Sequence, residues 1–395
     1  MTAVAPVRYD PLDPELWRDP YPVYQQLRDE DPVHYVADKG FWVLSRFADV
    51  FAAANDTATF SSAQGLTFEE DEILKLGLAP TMVMMDRPRH TDHRRLVNRL
   101  FTPSRVAELE PMVRDFARDR LASLRASGGG DFVEALAGPL PSLVVAHYLG
   151  VPESDRASFG RWSSAIVQAK AAGSVLGARQ ALGELYEYFT VLAARRRAEP
   201  GDDMVSILAH GELDGRPVAV DEILGFCFVM IAGGNDTASG LLSGTAAALT
   251  EQRDQRRELL ADPGLVPSAV EELLRYVSPV QGLSRTTTRQ VDVGGRHVVA
   301  GSKVHLLYAA ANRDEREFGP DADALRVARA PRRTLAFSSG PHHCLGAAAA
   351  RLQGRVVLEE LLAAMPDFVA DVHGGRYAPG PFTRRFEALP LSPTG

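Results

Sequence analysis

Apolar residues three and four positions apart occur along most of the chain, which is the spacing of helices with one buried face. This pattern predicts helices at 47–54, 105–126, 131–149, 154–170, 178–197, 204–209, 268–276 and 351–364. Alternation with a period of two is confined to shorter stretches, and around Lys39-Gly40 it predicts a β-hairpin over 33–45. Residues 291–299 and 303–308 predict further strands. The expected fold is mainly α with small β-sheets.

The segment 221–250 predicts a long central helix, because it is mostly apolar and contains no proline. Its middle, 226–232, has no polar side, and a helix that is apolar all round is buried. Two glycines follow, Gly233 and Gly234, each costing about 1 kcal/mol relative to alanine inside a helix. We expect them to leave room for a ligand. Thr237 is expected to donate its hydroxyl to the carbonyl of residue 233 and to open the helix locally.

Residues 337–346 read Phe-Ser-Ser-Gly-Pro-His-His-Cys-Leu-Gly and bring one thiol between two glycines. A thiolate that binds a metal needs surroundings that stabilise its negative charge. Gly340 and Gly346 allow turns in which backbone amides point at the sulfur. The alanine-rich stretch that follows predicts a helix, and the N-terminus of a helix favours an anion. Cys344 is therefore a candidate metal ligand.

Two simpler interpretations of this stretch remain open at this point. One is a buried cysteine in a turn bracketed by glycines. The other is a zinc site made by His342, His343 and Cys344. It is disfavoured because three consecutive residues do not easily converge on one metal, and the chain contains no Cys-x-x-Cys pair.

Five positions of this stretch resemble the haem-binding loop of cytochromes P450, Phe-x-x-Gly-x-[His/Arg]-x-Cys-x-Gly. They are Phe337, Gly340, His342, Cys344 and Gly346. The resemblance implies the cytochrome P450 fold as one domain over 1–395, with several stretches similar to actinobacterial members. It also implies a haem b that lies between the long central helix and the cysteine loop with its following helix. Cys344 would be the axial thiolate ligand.

The glycines of the central helix belong to a second stretch, Gly233-Gly234-Asn235-Asp236-Thr237. It is similar to the oxygen-activation motif of the same family, [Ala/Gly]-Gly-x-[Asp/Glu]-Thr. The resemblance makes Asp236 and Thr237 the catalytic candidates, which would order water and relay protons. Ala238 departs from the Thr or Ser of many relatives. A contact between two helices at the glycines, with a satisfied acid beside it, is the alternative.

Further positions match the family's haem contacts and its structural motif. His90 and Arg94 resemble its His-x-x-x-Arg pair and, with Arg285 and His342, are expected to bind the haem propionates. Residues expected to brace the cysteine loop are Glu272 and Arg275 of a Glu-x-x-Arg pattern and, as a third member, Arg329. The family's usual Phe-Asp before that arginine is replaced here by Leu325-Arg326, which weakens its assignment.

Segments that line the substrate pocket in the family are mainly apolar in this chain. The expected pocket residues are Met82, Met84, Gly233, Val280, Leu283 and Phe382. Apolar walls predict a mid-sized, largely apolar organic substrate, and methionines suit pockets that accept several shapes. Methionines that belong to the core are the alternative.

Composition limits the partners and the compartment. A net charge of −8 and a pI near 5.7 argue against a general nucleic-acid binder. Two cysteines predict no disulfide framework and suit the reducing cytoplasm. Residues 1–20 contain no apolar signal core or membrane anchor. Because no flavin or iron–sulfur domain is recognised, electrons for O2 activation are expected from a separate ferredoxin and its NAD(P)H-dependent reductase.

The function implied by the resemblance is a haem-thiolate monooxygenase that acts on a small-molecule substrate with O2. The alternatives are a haem-thiolate peroxygenase or dehydratase, which typically lacks the acid–alcohol pair, a non-catalytic haem sensor, and a structural protein without haem. An acidic ferredoxin would need a local basic patch on this acidic chain. The candidates are Arg99, Arg105, Arg332, Arg333 and Arg351, with surface solvation or local ion pairs as the alternative.

Overall fold

Helices dominate the computed structural model, which describes residues 7–68, 80–171 and 179–394. In chain order, α1 to α16 are Pro14–Arg18, Tyr21–Glu30, Phe47–Asn55, Arg89–Val97, Pro103–Ala107, Glu110–Ala126, Pro139–Leu149, Arg156–Ala171, Arg179–Ala198, Met204–Ala209, Val220–Glu251, Arg253–Ala261, Val266–Val277, Tyr308–Ala311, Glu315–Phe318 and Ala347–Ala364. Short 3-10 turns include Met82–Met84 and Gly340–His342, and Val133–Ala137 is a π-helix. The mainly α class expected from periodicity is confirmed.

The strands form one five-stranded sheet and several small ones. In chain order, β1 to β14 are Val33–Val36, Phe41–Leu44, Phe60–Ser61, Gly130–Asp131, Glu212–Leu213, Arg216–Pro217, Leu283–Thr287, Val291–Val293, Arg296–Val298, Lys303–Leu306, Val369–Ala370, Arg376–Tyr377, Phe386–Ala388 and Pro390–Ser392. The largest sheet has the order β1-β2-β10-β7-β3. Its β1–β2 pair is the hairpin predicted around Lys39-Gly40, with Val36 opposite Phe41.

Some predicted boundaries are wrong, and each has a local cause. Residues 291–299 are a hairpin, because Gly294 and Gly295 have φ of 55° and 78° and turn the chain back. The helix predicted at 105–126 is two helices, since Pro111 lacks an N–H and stands in the first turn of α6. Helix α12 was not predicted. Part of the loop predicted at 61–80 falls at 69–79, outside the described residues.

The central helix α11 passes through the middle of the fold and contacts α7, α8, α9, α13 and α16. Ile223, Cys227 and Ile231, each four residues from the next, have no exposed surface. The expectation that residues 226–232 are buried all round is wrong in part, because Phe228, Val229, Met230 and Ala232 are only half-buried. Gly233, the next residue, is exposed. The helix therefore has a packed side and an open side.

Candidate functional site

The cysteine loop, residues 337–346, is a compact turn that ends just before α16. The amide of Cys344 donates to the carbonyl of Phe337 at 3.0 Å. Gly340 has φ of 69°, and a Cβ there would lie 2.8 Å from the carbonyl oxygen of Ala54, so a side chain would be strained and crowded. Gly346 differs, because its φ is −81° and a Cβ would lie 3.9 Å from Cys344 Sγ, which is ordinary contact. Of the two glycines, only Gly340 has a backbone conformation that requires glycine.

Cys344 and Cys227 have opposite surroundings. The side chain of Cys344 is exposed, whereas Cys227 is buried in the packed side of α11. Desolvation by the surrounding protein atoms raises the pKa of the Cys344 thiol, and the N–H of Gly346 and the charges of Arg94 and Arg351 oppose this rise. A cation at the sulfur would add to the stabilisation of the thiolate. Of the two cysteines, only Cys344 is open to a metal.

Four basic residues predicted to bind propionates come together beside this loop. The rings of His90 and His342 have centroids 4.2 Å apart, and Arg94 Nη1 donates to the carbonyl of Pro341 at 3.2 Å. Burial, together with the positive charges of Arg285, His90 and Arg94, lowers the pKa of His342 to about 3. His342 Nε2 lies 3.2 Å from Ser62 Oγ.

The two arginines of this cluster have no carboxylate partner within the part of the chain that the structure describes. Arg285 is 2% exposed, its Nη1 donates to the carbonyl of Ser284 at 2.8 Å, and its Nε has no hydrogen-bond partner in the described chain. Neither Arg285 nor Arg94 forms an ion pair with a carboxylate of the described residues. Buried cations without partners are unfavourable. The two propionates of a haem would supply the missing negative charge, so the residues fit this cofactor.

On the open side of α11, Thr237 Oγ1 donates to the carbonyl of Gly233 at 2.7 Å, as predicted from their spacing. The helix nevertheless runs unbroken from Val220 to Glu251. The local opening predicted at Thr237 therefore does not interrupt the helix. A Cβ placed on Gly233 would meet no atom within 4 Å. Gly233 and Thr237, four residues apart, thus form one face beside open space.

Asp236 lies on another side of the same helix. Its Oδ1 is 2.6 Å from Nε of Arg385, and the two side chains are 5% and 10% exposed. Sequence reasoning missed Arg385, although Phe382, three residues before it, is among the expected pocket residues. The available signal was the pair of adjacent arginines, Arg384 and Arg385, close to Phe382 in sequence.

The three bracing residues form one buried cluster. Glu272, with no exposed surface, accepts two hydrogen bonds from Arg275 at 2.7 Å and one from Arg329 at 3.1 Å. Arg275 also donates to three carbonyl groups, those of Asn312, Ala322 and Ala324. Arg329 therefore joins the cluster despite the altered residues before it.

The predicted pocket residues lie on two parts of the fold. Met82, 7% exposed, and Met84 belong to a 3-10 turn that contacts α11. On the other part, Val280 forms a β-bridge with Thr383, and the amide of Gln281 donates to the carbonyl of Phe382 at 2.8 Å. Leu283 begins β7, which continues to Arg285. The structure thus brings the second group next to a propionate candidate.

Local ion pairs occupy three of the five arginines considered for ferredoxin docking. Arg333 pairs with Glu317 at 2.7 Å, Arg351 pairs with Glu271, and Arg105 pairs with Glu108 at 3.1 Å. The guanidinium of Arg351 also lies 4.7 Å from the ring centre of Phe337. Arg99 and Arg332 are exposed and have no ion pair within the residues described.

Comparisons of sequence and structure with known proteins all identify the same family. The Cytochrome P450 family model matches residues 246–365. The chain is 51% identical to cytochrome P450 130 of Mycobacterium tuberculosis, with 100% of both chains covered. It is 37% identical to vitamin D(3) 25-hydroxylase of Pseudonocardia autotrophica, covering 94% of this chain and 93% of that one.

A solved structure gives the same result. A cytochrome P450 of Mycobacterium marinum in complex with pseudoionone matches with a TM-score of 0.88 and 32% identity, covering 99% of this chain and 100% of the other. Among the helices of the described residues, none has the length and hydropathy needed to cross a membrane.

Gly233 and Gly244, three turns apart on α11, predict opposite effects of adding one methyl group, because their surroundings differ. Gly233→Ala should raise the free energy of unfolding by about 1 kcal/mol, because alanine favours the helix and its Cβ meets no protein atom. Gly244→Ala should lower it by about 1–3 kcal/mol, because the Cβ would overlap Val277. Urea unfolding of both variants measures this difference. A loss of stability in Gly233→Ala would show that the Gly233 face is packed.

Proposed function

Because this chain is a member of the cytochrome P450 family, we propose that it inserts one oxygen atom of O2 into a mid-sized, largely apolar organic substrate. Proteins of this family bind haem through a cysteine thiolate and act as monooxygenases. We assign the thiolate to Cys344 and treat residues 1–395 as one haem domain. The assignment rests on the exposed thiol of Cys344 beside a basic cluster in which Arg285 is buried and Arg94 is half-buried. Neither arginine has a carboxylate partner among the described residues.

The basic cluster would hold the cofactor by its propionates. His90, Arg94, Arg285 and His342 supply donors for charge-assisted hydrogen bonds, which are stronger than neutral ones. Bound there, the haem supplies the activation of O2, of which one atom enters the substrate and the other leaves as water. The bracing cluster of Glu272, Arg275 and Arg329 keeps the preceding chain segments in place, so that the cysteine loop keeps its position.

Proton delivery is assigned to the open face of α11. The reaction consumes substrate, O2, NAD(P)H and one proton from solution, and it yields hydroxylated product, water and NAD(P)+. The hydroxyl of Thr237 donates to the carbonyl of Gly233 in the structure. By rotating away from this carbonyl, it would donate instead to a water on the open face. Asp236 follows as the carboxylate that orders water and exchanges protons with it.

The substrate class rests on the apolar residues of the pocket. Met82, Met84, Val280, Leu283 and Phe382 offer apolar surface with few polar groups, which is typical of small-molecule sites. The relative named for vitamin D(3) and the structure that contains pseudoionone support this class, because both compounds are mid-sized and mostly hydrocarbon. Gly233 leaves space for such a molecule against α11.

The proposed monooxygenase function predicts that 18O from 18O2 appears in the product. With ferredoxin, its reductase, NADH and 18O2, an apolar ligand that shifts the haem from low to high spin should yield a product containing one 18O atom. Mass spectrometry measures the label. The Thr237→Ala variant should still bind the ligand and consume O2. More of the electrons from NADH should form hydrogen peroxide, because the hydroxyl that controls proton delivery is missing.

Two results would contradict this function. One is unlabelled product, or product formed equally well without NADH, which would indicate different chemistry. The other is a spin-state shift only with strongly anionic, highly polar ligands, which would contradict the apolar substrate.

Electrons would come from a separate acidic ferredoxin and its NAD(P)H-dependent reductase in the cytoplasm. The net charge of −8 repels such a partner at long range, so a local basic surface is needed. Arg99 and Arg332 are the best candidates, because they carry charge that no described carboxylate neutralises. Arg99 follows helix α4, whose Arg94 touches the cysteine loop, and Arg332 precedes that loop in sequence.

Reversing Arg99 and Arg332 to Glu should slow reduction by ferredoxin without changing substrate affinity. The rate in the parent protein should also fall as salt rises, since the Debye length is about 8 Å at physiological ionic strength. Stopped-flow reduction measures both. Reversing Arg18 and Arg296, which lie in α1 and β9, gives the same change in net charge as a control. Rates that ignore both salt and the Arg99/Arg332 reversal would place the docking surface elsewhere.

A further inference from the structure

Gln281 lies inside the segment that carries two of the expected pocket residues, and it has no exposed surface. This segment pairs with the C-terminal part of the chain, where Val280 forms a β-bridge with Thr383. Residues 280–283 and 382–383 therefore form one paired unit, which we call the pocket wall. It contains three of the residues expected to contact the substrate.

Four hydrogen-bonding groups of Gln281 have partners, and each partner comes from a different part of the fold. The backbone amide donates to the carbonyl of Phe382 at 2.8 Å, and the backbone carbonyl accepts from the amide of Ala309 at 3.0 Å. The side-chain Nε2 donates to the carbonyl of Ser278 at 2.7 Å, and Oε1 accepts from the hydroxyl of Tyr24 at 3.0 Å. Because buried polar groups are unfavourable without partners, this set of bonds fixes the position of Gln281.

The partners also determine which way the side-chain amide of Gln281 points. A backbone carbonyl can only accept, so Nε2 must face Ser278 and Oε1 must face Tyr24. Tyr24 is 1% exposed, and burial is the main cause that raises the pKa of its hydroxyl well above the usual range. The hydroxyl therefore keeps its proton and donates to Oε1 at physiological pH.

Through its side chain, Gln281 connects the pocket wall to two other parts of the fold. Tyr24 belongs to α2, near the N-terminus. Ser278 follows α13 with φ of 42°, and its hydroxyl oxygen accepts from Asn312 Nδ2 at 2.8 Å. The carbonyl of Asn312 accepts in turn from Arg275 of the bracing cluster at 2.8 Å. The pocket wall is thus supported both by α2 and by the bracing cluster.

Gly282 allows the pocket wall to pack closely against β10. A Cβ at this position would lie 2.5 Å from His305 Nε2 and 2.6 Å from the carbonyl oxygen of Leu306, so no side chain fits. Closely packed interiors transmit a displacement instead of absorbing it. A shift of Gln281 is therefore expected to displace the residues on either side of it.

We propose that Gln281 is a positioning residue: held by Tyr24, it fixes the pocket wall and thereby determines how tightly the pocket binds an extended apolar ligand. The inference rests on the proposed function, in which Val280, Leu283 and Phe382 of this wall contact the substrate. Loss of the Tyr24 hydroxyl leaves Oε1 as a buried acceptor without its donor. A shift of the pocket wall relieves this unfavourable state and alters the surface that the ligand meets.

The test compares two ligands in the haem-loaded, full-length protein. 1-Methylimidazole and 1-octylimidazole both coordinate haem iron through a ring nitrogen, and the resulting shift of the Soret band gives their dissociation constants. The two compounds differ only in the alkyl chain, so the ratio of the two constants measures contact of that chain with the apolar pocket. In the parent protein, 1-octylimidazole should bind at least about tenfold more tightly.

Tyr24→Phe should raise the dissociation constant of 1-octylimidazole by about fivefold. This corresponds to about 1 kcal/mol, the typical net contribution of one hydrogen bond. The constant of 1-methylimidazole should stay unchanged, because its short chain makes little contact with the pocket. Gln281→Met should weaken 1-octylimidazole at least as much, since methionine cannot replace the amide. The double variant should be no weaker than Gln281→Met alone, because both changes remove the same bond.

Tyr9→Phe is the matched control, because it removes a hydroxyl from the same group of aromatic residues. Tyr9 is 5% exposed, and its ring centroid lies 6.3 Å from that of Tyr24. Its hydroxyl forms no hydrogen bond with any residue in the described ranges. Tyr9→Phe should leave both dissociation constants unchanged. Urea unfolding of the haem-loaded variants measures their stability separately.

Three results would overturn the inference. If Tyr24→Phe lowers the unfolding midpoint but leaves the ratio of the two constants unchanged, its bond to Gln281 is only structural. If the variants weaken both ligands equally, they act on the haem site instead of on the pocket wall. If the parent protein itself binds 1-octylimidazole no more tightly than 1-methylimidazole, the apolar pocket of the proposed function falls, and the role of Gln281 falls with it.

Discussion

The buried carboxylate of Glu272 is the interaction on which the geometry of the site depends. It bonds both the Nε and Nη2 atoms of Arg275 at 2.7 Å, and Arg275 in turn fixes the carbonyl of Asn312. The side chain of Asn312 accepts the amide of Leu335 at 2.7 Å, two residues before the cysteine loop. Removing one partner of a buried ion pair typically costs about 3–5 kcal/mol. A continuous set of hydrogen bonds therefore connects α13 to the segment that presents Cys344.

The central helix performs its roles by giving each side a different environment. Its packed side buries Ile223, Cys227 and Ile231, and this supplies the apolar burial that holds the helix in place. Its open side, at Gly233 and Thr237, exposes a glycine and a hydroxyl to the space where a ligand fits. Asp236, next to Thr237 in sequence, forms an ion pair with Arg385 of the C-terminal region. The residues that stabilise the helix and the residues assigned to the reaction thus lie on different sides of α11.

Local patterns made part of this arrangement predictable from the sequence. The bond between Thr237 and Gly233 follows from a spacing of four residues in a helix, and the turn at Gly340 follows from the freedom of glycine at positive φ. The ion pair of Asp236 with Arg385 could not be predicted, because it joins segments far apart in sequence and depends on how the C-terminal turn packs. From the sequence, the assignment of Arg329 is weakened by Leu325-Arg326, which depart from the family pattern. The structure shows why the change is tolerated: Arg326 contributes its backbone amide to Glu272, which any residue except proline supplies.

The absorption spectrum of the reduced, haem-loaded protein with carbon monoxide tests the central claim, that Cys344 ligates the iron. Cys344→Ser and Cys227→Ser form a matched pair, because each removes one of the two sulfhydryl groups. The account predicts the thiolate-type Soret band in the parent protein and in Cys227→Ser, and its loss in Cys344→Ser. A thiolate-type band that persists in Cys344→Ser, or a histidine-type spectrum in the parent protein, would contradict it.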